Sequence, residues 1–368
     1  MELNKENKAE LLYGRLRDRI ETMTEGESFP SVRQLMQEYQ VSRFTVDPVL
    51  RKLREQGHLE SVIGSGTFVR HPEIGKQPKL LILESDWPSP SIRDMSALLA
   101  ARAQKMNFAH EIVPVDHRED FCRMLPALSA DVVVANSLAR DLLTADQVRS
   151  LVNAPVPCIL CLNAARVDRV RFVNGNNQAA GMIVANYFFR HGHRQMAFLR
   201  TEPHGVASDD LIQGFRLAAG TFGCDVDVLD CGTKSGEDSS ERTRGYLARN
   251  LNRLRKYSAI FVGSSMTAVA AMSFLAEHGI AVPEEISMLA LGDVKIAGAE
   301  RLSVAASARA DIAREVLDMA SDIVNRRFDR NFQVEISPRI IERGSVKLMQ
   351  PGCLPVAQGQ GRYDYEAS

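Results

Sequence analysis

Apolar residues recur at helical spacing in three stretches before Gly57. The three repeats are Leu12, Leu16, Ile20 and Met23, then Val32, Leu35, Met36 and Tyr39, then Val46, Val49, Leu50 and Leu53. Spacings of three and four residues predict amphipathic helices. Ser31 and Ser42 precede the second and third helices as N-caps, and Gly57 follows the third, where a left-handed residue ends a helix. Two short β-prone runs around Gly66 predict a hairpin.

The order helix, turn, helix, wing predicts a winged helix-turn-helix DNA-binding domain over residues 1–70. In such a domain the second helix of the pair enters the major groove. Arg43, Phe44 and Thr45 form the first turn of that helix, and an arginine there can bind a guanine edge or a phosphate. Arg33 lies near the start of the preceding helix, where it can reach a backbone phosphate.

From Lys79 onward, short apolar runs alternate with longer amphipathic segments. The runs are LLIL at 80–83, VVVA at 132–135, CILCL at 158–162, MAFL at 196–199, AIFV at 259–262 and SMLAL at 287–291. Strands that are apolar on both faces predict parallel sheets covered by helices. The length of residues 79–347 favours two such lobes with a ligand between them. Residues 71–78 are expected to be a linker and 348–368 a disordered tail.

The overall composition is that of an ordinary soluble protein, with 45% apolar residues, 25% charged residues and a net charge of −1. Neither a membrane span of roughly 20 apolar residues nor a signal-peptide pattern appears, so we expect a cytoplasmic protein with no membrane partner. Cys158 and Cys161 form a CxxC inside a strand-like run and are expected to be buried core. His191 and His193 are expected to be structural. The sequence predicts no metal and no cofactor.

The N-terminal motifs resemble those of GntR-type winged-helix repressors. FPSVRQL, VSRFTV, LRKLREQGHLES and GSGTFV stand in the family's order within residues 12–69. The resemblance implies DNA contacts at Arg33, Ser42, Arg43, Thr45 and, at the wing tip, Gly66. The Asp47-Pro48 step departs from the family pattern. A proline inside a helix costs about 3 kcal/mol, and a carboxylate repels phosphate, so we expect a kinked recognition helix with unusual base preferences.

The remainder of the chain, roughly residues 79–346, resembles LacI/GalR-type regulators. Three stretches carry the likeness: NNQAAGMIVANYFFRHGHRQMAFL, AIFVGSSMTAVAAMSFLAEHGIAVPEEISMLALGD and IIERGS. The resemblance implies the two-lobed fold of type I periplasmic binding proteins, which senses sugars and dimerises. A GntR-type head joined to such a body is similar to arabinose-repressor-like regulators.

The departures from this second family fall on its ligand site. Serines occupy positions 264 and 265 instead of the family's Asn-Asp pair, and Leu211, Gly292 and Asn163 replace charged residues. Asp293 is kept, and Trp87, the single tryptophan, follows the first strand. Trp87 could stack on a sugar ring or simply pack. We therefore expect effector contacts at Trp87, Asn163, Ser264 and Asp293, in a pocket that does not bind an ordinary hexose or pentose or has lost its ligand.

The sequence predicts a transcriptional regulator, a repressor of carbohydrate-related genes, that binds double-stranded operator DNA as a homodimer. A small molecule, a sugar or a derivative, would bind between the lobes and change operator affinity. Two alternatives stay open. The bilobed domain could serve only dimerisation in a constitutive DNA binder. The chain could also be an enzyme fused to a DNA-binding module, although its sequence contains no GxxxxGK[ST], GxSxG or HExxH motif.

Overall fold

The chain forms two compact units, Met1–Gln77 and Pro78–Ser368. A computed structural model describes residues 5–62, 66–70, 77–87, 89–139, 142–162, 167–325 and 333–349. The predicted linker, apart from residues 77 and 78, and the predicted tail, apart from residues 348 and 349, lie outside these ranges.

The N-terminal unit packs three helices on a small antiparallel sheet. Its elements are α1 (Lys5–Thr22), β1 (Ser28–Phe29), α2 (Val32–Tyr39), α3 (Arg43–Glu55), β2 (Leu59–Val62) and β3 (Gly66–Val69). The strand order is β1-β3-β2. Leu16, Leu35 and Leu53, one from each apolar repeat, are fully buried in the shared core. The repeats therefore fold as the three predicted helices.

The turn between α2 and α3 is set by local hydrogen bonds. Ser31 and Gln34 form the predicted capping box at the start of α2. Gln40 ends the helix in a left-handed conformation with φ of 48°. Ser42 occupies the N-cap of α3, but its side chain does not cap a backbone N–H. Its hydroxyl oxygen instead lies 3.1 Å from that of Thr45, so the capping part of the Ser42 prediction is wrong.

Helix α3 continues through Pro48 and is helical at every residue from Arg43 to Glu55. Pro48 has no N–H to donate to the carbonyl of Phe44, four residues earlier. The helix nevertheless keeps its helical assignment on both sides of Pro48. The Asp47-Pro48 step therefore does not interrupt the helix.

The C-terminal unit contains two six-stranded sheets, one in each lobe. The first has strand order β14-β8-β7-β6-β4-β5 and the second β10-β9-β11-β12-β13-β15. All neighbouring strands are parallel except β13 and β15. The first-lobe strands are β4 (Lys79–Ser85), β5 (Ala109–Val115), β6 (Val132–Asn136), β7 (Cys158–Cys161), β8 (Arg171–Gly175) and β14 (Gln333–Ile336). Those of the second are β9 (Met196–Arg200), β10 (Val226–Asp230), β11 (Ala259–Val262), β12 (Ser287–Leu291), β13 (Ser303–Ala306) and β15 (Arg339–Ile341).

Helices cover the faces of both sheets. In the first lobe they are α4 (Pro90–Lys105), α5 (Ala145–Val152) and α10 (Arg309–Val324), and in the second α6 (Asn177–Arg190), α7 (Val206–Thr221), α8 (Ser239–Leu254) and α9 (Ser265–Glu277). The chain passes between the lobes after β8, β13 and β14, so these three crossings join the lobes. The predicted fold class, a winged helix-turn-helix plus a two-lobed parallel-sheet domain, is confirmed. Among the described residues, no helix combines the length and the apolarity needed to cross a bilayer.

The CxxC is part of the first lobe's core, as predicted. Cys158 and Cys161 lie on β7 and are 3% and 0% exposed. They belong to hydrophobic clusters on opposite faces of the sheet, so they cannot bind one metal together. Burial raises the pKa of the Cys161 thiol to about 12, which leaves it protonated and unreactive at neutral pH.

Candidate DNA-reading helix and interlobe cleft

The start of α3 presents polar and aromatic side chains to solvent. Phe44 is 93% exposed, and the side chain of Arg43 is 72% exposed. The opposite face of α3 is buried by Val46, Val49, Leu50 and Leu53. A helix anchored on one face and exposed on the other can enter a major groove.

Arg43 is held by Asp47, one turn further along α3. Its Nε donates to Asp47 Oδ2 at 3.1 Å. Because this bond uses Nε, the two Nη groups remain free to form a bidentate contact with a guanine edge or a phosphate. The sequence suggested that the Asp47 carboxylate would repel DNA. In the structure this carboxylate is paired with Arg43, the residue that is expected to bind DNA.

The remaining residues of the predicted DNA surface lie on α2 and the wing. Arg33 is an exposed residue of α2. Gly66 begins β3 with φ of 120°, a conformation that favours glycine. Residues 63–65, which complete the wing tip, lie outside the described residues.

A cavity of about 890 Å³ lies between the two lobes of the C-terminal unit. Trp87 and His117 line it from the first lobe, and Arg200, Leu211 and Ser264 line it from the second. A cavity of this size can enclose a small organic ligand. It lies where the carboxyl ends of parallel strands from both sheets meet, which is the usual ligand position in such folds.

The structure brings two of the four predicted effector residues to this cavity. Trp87 and Ser264 both line it. Asp293 instead lines a second cavity of about 370 Å³ near the crossings between the lobes, and its Oδ1 accepts from Arg343 Nη2 at 2.7 Å. Asn163 lies outside the described residues, although its neighbour Leu162 lines both cavities.

Trp87 is a packed wall of the cleft. It is 7% exposed, and its ring meets the ring of His117 edge to face, with centroids 4.9 Å apart. His117 Nδ1 lies 2.7 Å from Asp86 Oδ1, and hydrogen bonds from the backbone and ring of His117 lower the pKa of Asp86. The two readings that the sequence left open are therefore compatible, because Trp87 packs on a histidine and also lines the cleft.

The substituted positions place uncharged residues on the second-lobe wall of the cleft. Ser264 precedes α9, and the hydroxyl of Ser265 donates to the carbonyl of Leu291 at 2.9 Å. Leu211 is 1% exposed and packs in the core of the second lobe. Gly292 turns the chain with φ of 85°. These residues complete the fold rather than present carboxylates or guanidinium groups to a ligand.

Arg200, which the sequence analysis missed, is the buried charged group of this wall. It ends β9 and is 9% exposed. Its Nη2 donates to Asp209 Oδ1 at 2.9 Å, and its Nη1 contacts His204 Nδ1. Its Nε is buried without a hydrogen-bond partner among the described residues. The position of an arginine directly after the apolar run MAFL, at the carboxyl end of a strand, was the available signal.

The histidines of RHGHRQ are structural, as predicted. His193 is fully buried, with Nδ1 2.9 Å from Ser258 Oγ and Nε2 3.2 Å from the carbonyl of Lys347. Burial lowers its pKa to about 4. His191 Nδ1 lies 2.8 Å from the carbonyl of Tyr187. Both ring nitrogens of His193 are thus occupied, which leaves neither for a metal.

Two parts of the chain match known families. Residues 8–69 match the family model of bacterial regulatory proteins of the gntR family, and residues 185–346 match that of the periplasmic binding protein-like domain. The chain is 23% identical over 344 residues to the arabinose metabolism transcriptional repressor of Geobacillus stearothermophilus, covering 88% of this chain and 93% of that protein. It is 24% identical over 185 residues to the HTH-type transcriptional repressor PurR of Klebsiella pneumoniae, covering 50% of this chain and 53% of that protein.

Solved structures share the fold. A LacI transcriptional regulator from a Rhodococcus species matches with a TM-score of 0.62 at 17% identity, covering 73% of this chain and 98% of that chain. A LacI family transcriptional regulator from Enterococcus faecium with bound ribose matches with a TM-score of 0.62 at 15% identity, covering 74% and 100%. The complex of the transcriptional regulator CelR with cellobiose matches with a TM-score of 0.61 at 18% identity, covering 83% and 92%.

Proposed function

Since the chain carries a gntR-family DNA-binding domain and a periplasmic binding protein-like domain, we propose that it is a transcriptional repressor of carbohydrate-related genes controlled by a small molecule. The domain pair confirms the predicted class, a DNA-binding transcriptional regulator. Both matched families are named for regulation or ligand binding, which favours this reading over an enzyme fused to a DNA-binding module. In this proposal residues 1–70 bind the operator, and residues 79–347 bind the effector and dimerise.

The observation that carries the proposal is the presence, in one chain, of an exposed recognition helix and a ligand-sized cleft between two lobes. The operator contacts would come from α2, α3 and the wing, through Arg33, Ser42, Arg43, Phe44, Thr45 and Gly66. A homodimer would set two such helices about 34 Å apart on a palindromic operator. The repressor assignment is supported by the likeness to the Geobacillus stearothermophilus arabinose metabolism repressor over 344 residues.

The effector would be a sugar or a sugar derivative bound in the interlobe cleft. Regulators of the same fold bind ribose and cellobiose. Trp87 and Ser264 would contact it directly, and Asn163, which follows Leu162 in the sequence, is the third proposed contact. Asp293 would act from the neighbouring cavity, where it is paired with Arg343. The effector changes operator affinity only if it binds the open and closed lobes differently.

Selection from a random pool of DNA duplexes tests the DNA-binding claim. The full chain should enrich a palindromic duplex, and Arg43→Ala should abolish binding to it while analytical ultracentrifugation shows an unchanged oligomer. Arg216→Ala, a change at an exposed arginine on α7 outside the cleft lining, is the matched control. Equal affinity of Arg43→Ala and the wild type would refute the assignment of α3 as the recognition helix.

One observation favours a second reading, in which the bilobed domain only dimerises. Leu211 and Gly292 contribute packing and backbone geometry where the related family has charged groups. Thermal shift against a panel of sugars and nucleosides separates the two readings, because a ligand at 100 times its dissociation constant adds about 2.7 kcal/mol of stability. If no ligand shifts the melting temperature while the selected duplex still binds, the dimerisation reading is correct.

A further inference from the structure

Arg200 is unusual because it is a buried charge. Among the described residues it is the one Arg, Lys, Asp or Glu residue that is buried, with 9% exposure. Charged side chains are rarely buried unless they are paired, because removing them from water is costly. Arg200 lines the interlobe cleft, so this cost is incurred at the position where a ligand would bind.

The protein compensates this charge only in part. Asp209, the carboxylate on Nη2, has a side chain that is 62% exposed, whereas the side chain of Arg200 is 10% exposed. His204, which contacts Nη1, lies 67% exposed and pairs through Nε2 with Asp230 at 2.8 Å. Both partners are therefore largely in water, where their interaction with a cation is screened.

Arg200 also has N–H donors that no group in the described part of the chain accepts from. Its Nε has no hydrogen-bond partner among the described residues. Nη2 carries two N–H groups and, within the residues that the structure describes, makes one hydrogen bond, to Asp209. One N–H on Nε and one on Nη2 point the same way along a guanidinium, and this fork matches the two oxygens of a carboxylate or phosphate.

The other charged residues of the cleft do not cancel this preference. Five carboxylates line the cavity: Glu119, Asp120, Glu202, Glu237 and Asp238. None of them is buried. Four already accept hydrogen bonds: Asp120 and Asp238 from backbone N–H groups, Glu202 from Ser239 Oγ at 3.0 Å and Glu237 from the backbone N–H of Lys234 at 2.8 Å. All five are more exposed than Arg200, which is a buried cation of the cavity lining.

We propose that the effector carries an anionic group, a carboxylate or a phosphate, that binds Nε and Nη2 of Arg200. The inference rests on the proposed function and specifies the class of its ligand: a sugar acid or a sugar phosphate rather than a neutral sugar. Nε is shielded from water in this structure, so the anion reaches it when the side chain or the cleft wall moves.

A purely structural role for Arg200 is the alternative. Its bond to Asp209 links the end of β9 to α7, and that link alone would make Arg200 a positioning residue for the lobe. The two roles differ in what they demand of the ligand. A structural arginine has no preference between a neutral sugar and its acid, whereas a ligand-binding arginine favours the anion.

Isothermal titration with matched pairs tests the proposal on the full chain at fixed ionic strength. The pairs are glucose with gluconate and ribose with ribose 5-phosphate, and inorganic phosphate is added as the bare anion. The anionic member of at least one pair should bind at least about tenfold more tightly than its neutral partner. Arg200→Gln should weaken anion binding by about 30-fold or more. Arg200→Lys, which keeps the charge but loses the fork, should fall between. Arg216→Gln should change nothing.

Three results would overturn the proposal: neutral sugars that bind as tightly as their anions, an Arg200→Gln variant that retains full anion affinity, or no binding by any anion. If circular dichroism shows that Arg200→Gln does not fold, the proposal is tested by the anion preference of the wild type and by the anion affinity of Arg200→Lys. Operator binding is measured separately on the selected duplex. A neutral effector that releases the duplex would leave the proposed function intact and refute only the proposal that the effector is an anion. A chain that enriches no duplex would refute the function itself.

Discussion

Replacing Asp47 by asparagine should separate the affinity of the protein for DNA from its specificity. Asp47 Oδ2 accepts from Nε of Arg43 at 3.1 Å, and this bond leaves both Nη groups of Arg43 available to a base. The asparagine side chain would remove the negative charge and loosen Arg43. The first change strengthens binding to any duplex, because less charge repels the phosphates. The second weakens the preference for one base.

The structure sets the magnitudes of these effects. The two side chains of the Arg43–Asp47 pair are 72% and 49% exposed, so the pair contributes only about 0.3–0.5 kcal/mol to the free energy of unfolding. The melting temperature should therefore hardly change. A bidentate arginine–guanine contact discriminates between bases by about 1–3 kcal/mol, which corresponds to about 5–150-fold in affinity. Asp47→Asn should lose a measurable part of that ratio.

Fluorescence anisotropy provides the assay, with the selected duplex and duplexes carrying one guanine substitution compared at constant salt. A duplex of scrambled sequence measures non-specific binding, and Asp47→Asn should bind it more tightly than the wild type does. The ratio of the affinity for the selected duplex to the affinity for the scrambled duplex should fall. Glu55→Gln is the matched control, because Glu55 forms a looser pair with Arg51, at 4.0 Å, near the other end of α3. An unchanged specificity ratio in Asp47→Asn would refute the positioning role of Asp47.

Further predictions concern the C-terminal unit. Gly181→Ala should destabilise the second lobe by roughly 1–3 kcal/mol in urea unfolding, because the added Cβ would lie 2.5 Å from the backbone nitrogen of Phe215 in α7. Gly220→Ala is the control: a Cβ there would have nothing within 4 Å, so this change should be neutral or stabilising. Burial lowers the pKa of His193 to about 4, so the free energy of unfolding should fall as the pH falls from about 6.5 toward about 4. His193→Gln should flatten this part of the plot of urea midpoint against pH. An unchanged slope in the variant would contradict the role of His193. The buried Cys161 thiol should resist alkylation in the native protein and react after unfolding, as followed by mass spectrometry; rapid native labelling would contradict its burial.

The strands that were predicted from the sequence are mostly buried on both faces. The runs at 132–135, 158–162 and 259–262 correspond to β6, β7 and β11, which lie inside their sheets. Of the six described strands of the C-terminal unit without such a run, β8 and β13 lie inside their sheets, and β5, β10, β14 and β15 are each at the end of a sheet. An end strand has one paired neighbour and a more exposed surface, so polar residues interrupt its apolar pattern. In β5, only Val115 is fully buried.

In the candidate sites, contacts within one helix can be predicted from the sequence, whereas contacts between distant parts of the chain cannot. The i, i+4 spacing of Arg43 and Asp47 lies within one helix, so their pairing is readable from the sequence. The environment of Arg200 is not, because its burial depends on the fold of the loop that leads from β9 to α7. For Asp293 the sequence suggested a location that the structure does not show. Its family position suggested the effector cleft, but an ion pair with Arg343, distant in the sequence, places it at the neighbouring cavity.

The most direct test of the account measures operator affinity with and without a ligand bound in the cleft. The ligand is the panel compound that gives the largest thermal shift, and the duplex is the one selected by the full chain. A saturating ligand should change the dissociation constant of the duplex by about 5–150-fold, and the duplex should change the ligand's dissociation constant by the same factor. An unchanged operator affinity at full occupancy of the cleft would contradict an effector-controlled regulator.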